Sequence, residues 1–245
     1  MTAQPVLILG ARSDIGRAVA HEFASLGRAI QLAARDATSL AADRADLAAR
    51  HSVEVSLHEF DALDTTGHEA FLDDLPHEPA IVVCAVGLLG DQSQSERDIA
   101  RAAQVIRSNF EGPASILAAI GNRFEARGHG TIVGISSVAG ERGRASNYVY
   151  GAAKAGFTAF LSGLRNRLAT RGVHVVTVLP GFVATKMTEG MDLPAALTAQ
   201  PSEVAKAISQ AVERKRNVVH VRRVWRPIMA IIRSIPEFKF KKMKI

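Results

Sequence analysis

Six short apolar runs recur along this 245-residue chain, and most are followed by a segment of helical period. They are Pro5–Leu9, Ala29–Ala33, Val53–Leu57, Ile81–Ala85, Thr131–Ile135 and Val173–Leu179. A short continuous apolar run reads as a strand buried on both faces, which is the habit of parallel sheets. Strand alternating with helix therefore predicts an α/β fold with one doubly wound parallel sheet. Ligands of such a sheet lie at the carboxyl ends of its strands. Gly10, Asp61, Gly87, Ser137 and Pro180 all fall at such ends and are expected to share one crevice.

The first run feeds Gly10-Ala-Arg-Ser-Asp-Ile-Gly16, and a helical pattern follows over Arg17–Leu26. A glycine turn between strand and helix presents free backbone N–H groups and the positive helix end to an anion such as a pyrophosphate. Arg12, Ser13, Asp14 and Ile15 complete that turn. The second run ends at Ala34-Arg35-Asp36. An acid in this region accepts the ribose hydroxyls of NAD, whereas an arginine accommodates the phosphate of NADP. Ala34 leaves the acidic place empty, so Arg35, with Arg12 beside the turn, tilts the reading to NADP over NAD. After the third run, Asp61 in Phe60-Asp-Ala-Leu-Asp64 either accepts from an adenine amino group, with Ala62 alongside, or caps a helix beginning at Thr65.

The chemistry concentrates between Gly134 and Gly156. Tyr150 and Lys154, four residues apart, share one face of a helix expected to run on to Thr170. Gly151, Ala152, Ala153, Ala155 and Gly156 leave room for a flat ligand, and Ser137 ends the fifth strand. A phenol is a poor acid or base at neutral pH, and a lysine beside it is expected to lower its pKa. Phenol, ammonium and hydroxyl together suit proton donation to a carbonyl oxygen. A long helical pattern over Ile99–Phe124 is interrupted by Asn109 and by Gly112-Pro113, which weaken a helix ladder.

With these motifs the chain resembles the short-chain dehydrogenase/reductase family over residues 5–221. The resemblance implies Asn109, Ser137, Tyr150 and Lys154 as a catalytic tetrad, with Asn109 holding a water that links Lys154 to solvent. It places Gly10 and Gly16 on the pyrophosphate, Asp61 on the adenine, and Pro180, Gly181, Val183 and Thr185 on the nicotinamide carboxamide. Tyr148 is a decoy, because position 152 is alanine. Two departures stand out: the family's middle glycine is Asp14, and its Asn-Asn-Ala-Gly is Cys84-Ala-Val-Gly87. The Asp14 carboxylate has to point away from the pyrophosphate. Phe60–Asp64, Gly87–Asp91, Ala139–Arg142 and Arg233–Pro236 resemble the decaprenylphosphoryl-2-keto-ribose reductases, a group associated with NADH. That narrower likeness implies a 2-keto sugar on a polyprenyl phosphate as substrate. The alternatives are a soluble or β-ketoacyl ketone, or a non-catalytic dinucleotide-binding protein. The family also implies a homo-oligomer built through the helices of Asn109 and Tyr150.

Charge divides the chain. From Arg214 onward there are eleven Lys/Arg and one acid, Glu237, a net +10; with +6 for the whole, the remainder is −4. A nucleic-acid-binding body is therefore not expected, and the anionic partner belongs to the tail alone. Residues 222–245 form a basic tail behind a 1–221 catalytic domain. Within it, Trp225–Pro236 reads as a short helix that either covers the core or a subunit interface, or lies in a membrane surface. In the second case Trp225, Ile228, Ile231, Ile232 and Ile235 face the acyl chains, flanked by cations including Lys239, Lys241, Lys242 and Lys244. No run approaches a membrane span, no signal region opens the chain, and the single cysteine, Cys84, precludes an intrachain disulfide. A cytoplasmic location, reaching the inner membrane face, is the expectation, with no metal site.

Overall fold

The computed structural model of the chain describes residues 4–243. Seven parallel strands form the central sheet: β1 Val6–Leu9, β2 Ile30–Ala34, β3 Val55–Glu59, β4 Ile81–Cys84, β5 Gly130–Ile135, β6 Val173–Pro180 and β9 Val218–Val221. Their spatial order is β3-β2-β1-β4-β5-β6-β9. The order reverses between β1 and β4, with Val6 opposite Ile30 on one side and Ile81 on the other. A two-strand ribbon, β7 Phe182–Val183 with β8 Thr198–Ala199, stands above the sheet's carboxyl edge.

Burial on both faces explains the runs without alternation. Val6 and Ile8 enter one core with Val19, Phe23, Leu32, Val176 and Ile208. Leu7 and Leu9, pointing the other way, enter a second with Cys84, Ile116, Phe157 and Leu161. Helices α1 Asp14–Ser25, α2 Ala41–His51 and α8 Pro201–Glu213 cover the first core. The second lies beneath α3 His68–Asp73, α6 Gly112–Arg127 and α7 Tyr148–Leu168, while α4 Gln92–Ser95 and α5 Ile99–Ile106 flank α7.

Several boundaries differ from expectation. β3 lies two residues later than Val53–Leu57, because the Glu59 carboxylate at its end accepts from the amides of Asp36 and Ala37. The helix expected at Thr65 starts at His68, after Asp64 has accepted from Gly67 N in a turn. The interrupted pattern at Asn109 is a π-helical turn over Arg107–Glu111 joining α5 to α6. α8 and β9 carry no sequence expectation. α8 nevertheless has a legible start, since Gln200 and Glu203 form a capping box around Pro201.

The tail is not set apart from the body. Helix α9, Trp225–Ser234, packs Trp225 and Met229 against Val138 and Leu179, with Ile228 and Ile232 partly buried beside them. Trp225, Ile228 and Ile232 thus turn inward, correcting their assignment to an acyl-facing side; Ile231 alone is 65% exposed. Arg142 donates to the Ile232, Arg233 and Ile235 carbonyls at the helix end and pairs with Glu237 of the last helix, α10 Glu237–Phe240. Lys244 lies outside the described residues. Among the described residues no helix is long and apolar enough to cross a membrane.

Candidate active site

The first turn is built on close approach. Gly10 takes φ +82°, and a Cβ there would stand 2.9 Å from the Ala85 backbone; one on Gly16 would stand 2.6 Å from Gly10 O. Ser13 caps α1, donating to Gly10 O at 2.8 Å and accepting from Gly16 N at 3.0 Å. The Asp14 and Ile15 amides, in the first helical turn, have no intrahelical acceptor. The Asp14 side chain, at the start of α1, lines the cavity described below and has a specific partner. Its carboxylate accepts from the Lys186 backbone N at 2.7 Å, so it ties α1 to the segment after β7.

On the adenosine side, Gly10, Arg12, Ser13, Ala34, Arg35, Asp61, Ala62 and Gly87 line one cavity of about 330 Å³. Arg12 donates to Arg35 O at 3.1 Å, and its guanidinium lies 3.9 Å from Asp36. Asp36 is thus an acid near the ribose end that sequence reasoning passed over, because it is displaced one residue beyond Arg35 and sits in a left-handed conformation, φ 52°. Asp61 Oδ1 accepts from the Leu63 amide at 2.9 Å, a local turn bond, while the residue still borders the cavity.

A second cavity, of about 300 Å³, brings Asp14, Ser137, Tyr150, Lys154, Pro180, Gly181, Val183 and Thr185 together. Ser137 Oγ accepts from Ala139 N at 3.1 Å, lies 3.4 Å from Pro180 O as a donor, and lines the cavity with Tyr150. Lys154, 3% exposed, donates to Ile135 O at 3.0 Å, with its Nζ 5.7 Å from the Tyr150 ring centre. Ser136 fixes this helix by donating to Lys154 O at 2.9 Å. Tyr148 is 45% exposed and stays outside the cavity.

The electrostatics differ from expectation. Burial pushes the Tyr150 phenol up to about 12, offset in part by the Ser137 hydroxyl. Burial likewise pulls Lys154 down to about 8, against a small opposing effect of Cys84. Desolvation outweighs any lowering of the Tyr150 pKa by lysine, since low polarity penalises both charged forms. A phenol so shifted is a proton donor.

Asn109 is fully buried, and its side chain is engaged with backbone. Nδ2 donates to Leu88 O at 2.6 Å and Val105 O at 2.8 Å, and Oδ1 accepts from Leu88 N at 3.2 Å. It therefore pins the loop after β4 rather than pointing free towards Lys154. Gly87 fits between them: a Cβ there would stand 3.0 Å from Asn109 Oδ1 and 3.4 Å from Lys154 Nζ.

Phe182, Met187, Met191 and Trp225, none of which the sequence places in the site, also line this cavity. Trp225 lies so close over Gly181 that a Cβ on that glycine would be 1.9 Å from the indole, and its Nε1 donates to Leu197 O. Such a contact joins positions 44 residues apart, and no local pattern announces it.

Comparison with known proteins agrees with this fold. A family model described as short chain dehydrogenase matches residues 4–195. An uncharacterized oxidoreductase of Mycobacterium tuberculosis is 39% identical over 244 residues, covering 98% of this chain and 97% of that protein. A 3-oxoacyl-[acyl-carrier-protein] reductase of Synechocystis is 30% identical, covering 85% of this chain and 88% of its own. A solved short-chain dehydrogenase from Sphingobium yanoikuyae in complex with NADPH superposes with a TM-score of 0.80 at 25% identity, covering 95% of this chain and 97% of that one.

Proposed function

The chain belongs to the short-chain dehydrogenase family and is a dinucleotide-dependent oxidoreductase, and from that premise we propose that it reduces a ketone to a secondary alcohol. One observation carries the reading: Ser137, Tyr150 and a buried Lys154 line one cavity at the carboxyl edge of the sheet. The non-catalytic alternative gives way to an enzyme.

The chain fits the dinucleotide it needs, because the glycine turn leaves the Asp14 and Ile15 amides at the start of α1 without intrahelical acceptors beside the two cavities. The turn from Gly10 to Gly16 would hold the pyrophosphate, and Pro180 to Thr185 the carboxamide. When bound, the dinucleotide supplies a hydride to the carbonyl carbon. The protein supplies the rest. Ser137 Oγ, held between Pro180 and Ala139, orients the carbonyl. Tyr150 gives its phenolic proton to the carbonyl oxygen as it becomes a hydroxyl, a contribution of about 10² to 10⁴ in rate. Lys154 holds the ribose hydroxyls and, once a cationic nicotinamide is present, favours the phenolate that remains. Asn109 keeps the β4 loop in register through its bonds to Leu88 and Val105. Changing Tyr150→Phe should nearly abolish ketone-dependent oxidation of NADH or NADPH while leaving dinucleotide binding intact. Retained turnover would overturn the assignment.

NADPH is the favoured dinucleotide, supported by Arg12, Arg35 and Ala34 around the adenosine cavity; Asp36 beside Arg12 is the opposing feature. For the substrate, a 2-keto sugar on a polyprenyl phosphate is the finer reading. Its support is the matched segments, the apolar walls formed by Met187, Met191 and Trp225, and the basic surface of the tail. The second reading is a β-ketoacyl substrate, favoured by the Synechocystis relative. Assaying both ketone classes side by side separates them. Exposed Ile99 and Ile106 on α5 support association of copies through that helix, which light scattering would read as a mass above one chain.

A further inference from the structure

Between Ser137 and Tyr150 stands a cation that ketone reduction does not use. Arg144 lines the same cavity as Ser137, Tyr150 and Lys154. Its Nε is shut off from solvent with no hydrogen-bond partner among the described residues. Arg142, two positions earlier, is the contrast: three carbonyls, Glu237 and the ring of Phe240 surround its guanidinium. Arg144 has no such company. Burial alone lowers its pKa, with no acid to oppose the shift, yet a guanidinium keeps its charge at ordinary pH. A half-buried charge without a partner is costly unless something outside the chain completes it.

The rest of the cavity says what that something is. Among the described residues Asp14 is the only carboxylate lining it, and it is engaged with the Lys186 amide. The Lys186 side chain sits exposed at the rim. Asn147, also in the wall, has its Oδ1 buried without a partner among the described residues. The remaining wall is largely apolar, so a charge-assisted hydrogen bond made here is poorly screened by water.

We propose that Arg144 is a specificity-determining residue that receives an anionic group, a carboxylate or a phosphate ester, carried by the ketone substrate. The proposal rests on the ketone-reductase reading. The planar guanidinium matches two oxygens of either group, and Lys186 adds a second cation at the rim. With the anion held at Arg144 and the carbonyl at Ser137 and Tyr150, the ketone has two fixed points and offers one face for reduction.

Two matched pairs test this: acetoacetate against methyl acetoacetate, and dihydroxyacetone phosphate against dihydroxyacetone. In the unaltered enzyme the anionic member of at least one pair should have the higher kcat/KM, by about tenfold or more. Whichever pair shows it distinguishes carboxylate from phosphate. Arg144→Met should collapse that ratio, mainly through KM of the anionic member, and Arg144→Lys should restore part of it. A second reading needs no turnover. Trp225 is the only tryptophan and borders the same cavity, so its fluorescence reports the binding of either anion. The titration is run on the free protein and on protein saturated with oxidised dinucleotide, which fills the glycine turn. Equal kcat/KM within both pairs, an unchanged ratio in Arg144→Met, or an equal loss for both members overturns the proposal. So does a fluorescence response that is absent or independent of Arg144. Arg144-dependent anion binding without reduction of any ketone would instead overturn the reductase reading and leave the anion site standing.

Discussion

Lys154 is the residue whose charge depends most on its surroundings. Burial brings its pKa down to about 8, while Tyr150 is held up to about 12. The ammonium is the form that holds ribose hydroxyls, and it is lost as pH rises through about 8. The kcat/KM for ketone reduction should therefore fall on the alkaline side with a limb near pH 8, whereas Tyr150 keeps its proton well above that. A limb no lower than pH 10 would show that Lys154 is not the titrating group. At the other end of the crevice, Arg35 is exposed and borders the adenosine cavity. Arg35→Ala should raise the KM for NADPH far more than that for NADH. Equal effects on the two would show that Arg35 does not read a 2′-phosphate.

At the level of elements, the Asp14 carboxylate connects two pieces of chain 172 positions apart, the start of α1 and the segment after β7. An unbonded amide in an exposed segment exchanges quickly, and a hydrogen bond to a carboxylate is among the stronger ones. Asp14→Ala should speed hydrogen exchange of the Lys186 amide several-fold to about tenfold, with Asp14→Asn intermediate because it keeps one acceptor. Exchange unchanged in Asp14→Ala would mean that the 185–188 turn holds itself. That outcome has a physical basis, because Thr185 and Thr188 already bond each other's backbone.

At the scale of the whole molecule, the basic tail is part of the active-site wall. Trp225 is 4% and Met229 1% exposed, and together they close the cavity against Val138 and Leu179. Losing one buried tryptophan side chain costs about 3–5 kcal/mol. A chain ending at Val221 should therefore lose most of its thermal stability and its ketone reduction, as a thermal melt followed by circular dichroism would show. Membrane contact, the remaining proposal for the tail, is better tested on the outer face of α9 and α10. Ile231 and Phe238 are 65% and 64% exposed there. Changing both to serine should weaken binding to anionic vesicles at low salt without disturbing the Trp225 contact. Undiminished binding would remove the membrane from the account of the tail.

The sheet, the glycine turn and the Ser137–Tyr150–Lys154 set were legible in the sequence because each depends on local spacing. Buried parallel strands must be apolar throughout, a pyrophosphate turn needs glycine where φ is positive, and residues four apart on a helix share a face. β9 escaped notice because four residues containing His220, whose ring meets Glu141 at 3.0 Å, carry no periodic signal. The destination of Asp14, the sealing of Gly181 by Trp225 and the lack of an acid beside Arg144 among the described residues were settled by tertiary structure alone. Each depends on which distant segment the fold brings within hydrogen-bond or van der Waals reach. The pKa values of Tyr150 and Lys154 belong with them, because burial is a property of everything packed around a group, and spacing along the chain does not encode it.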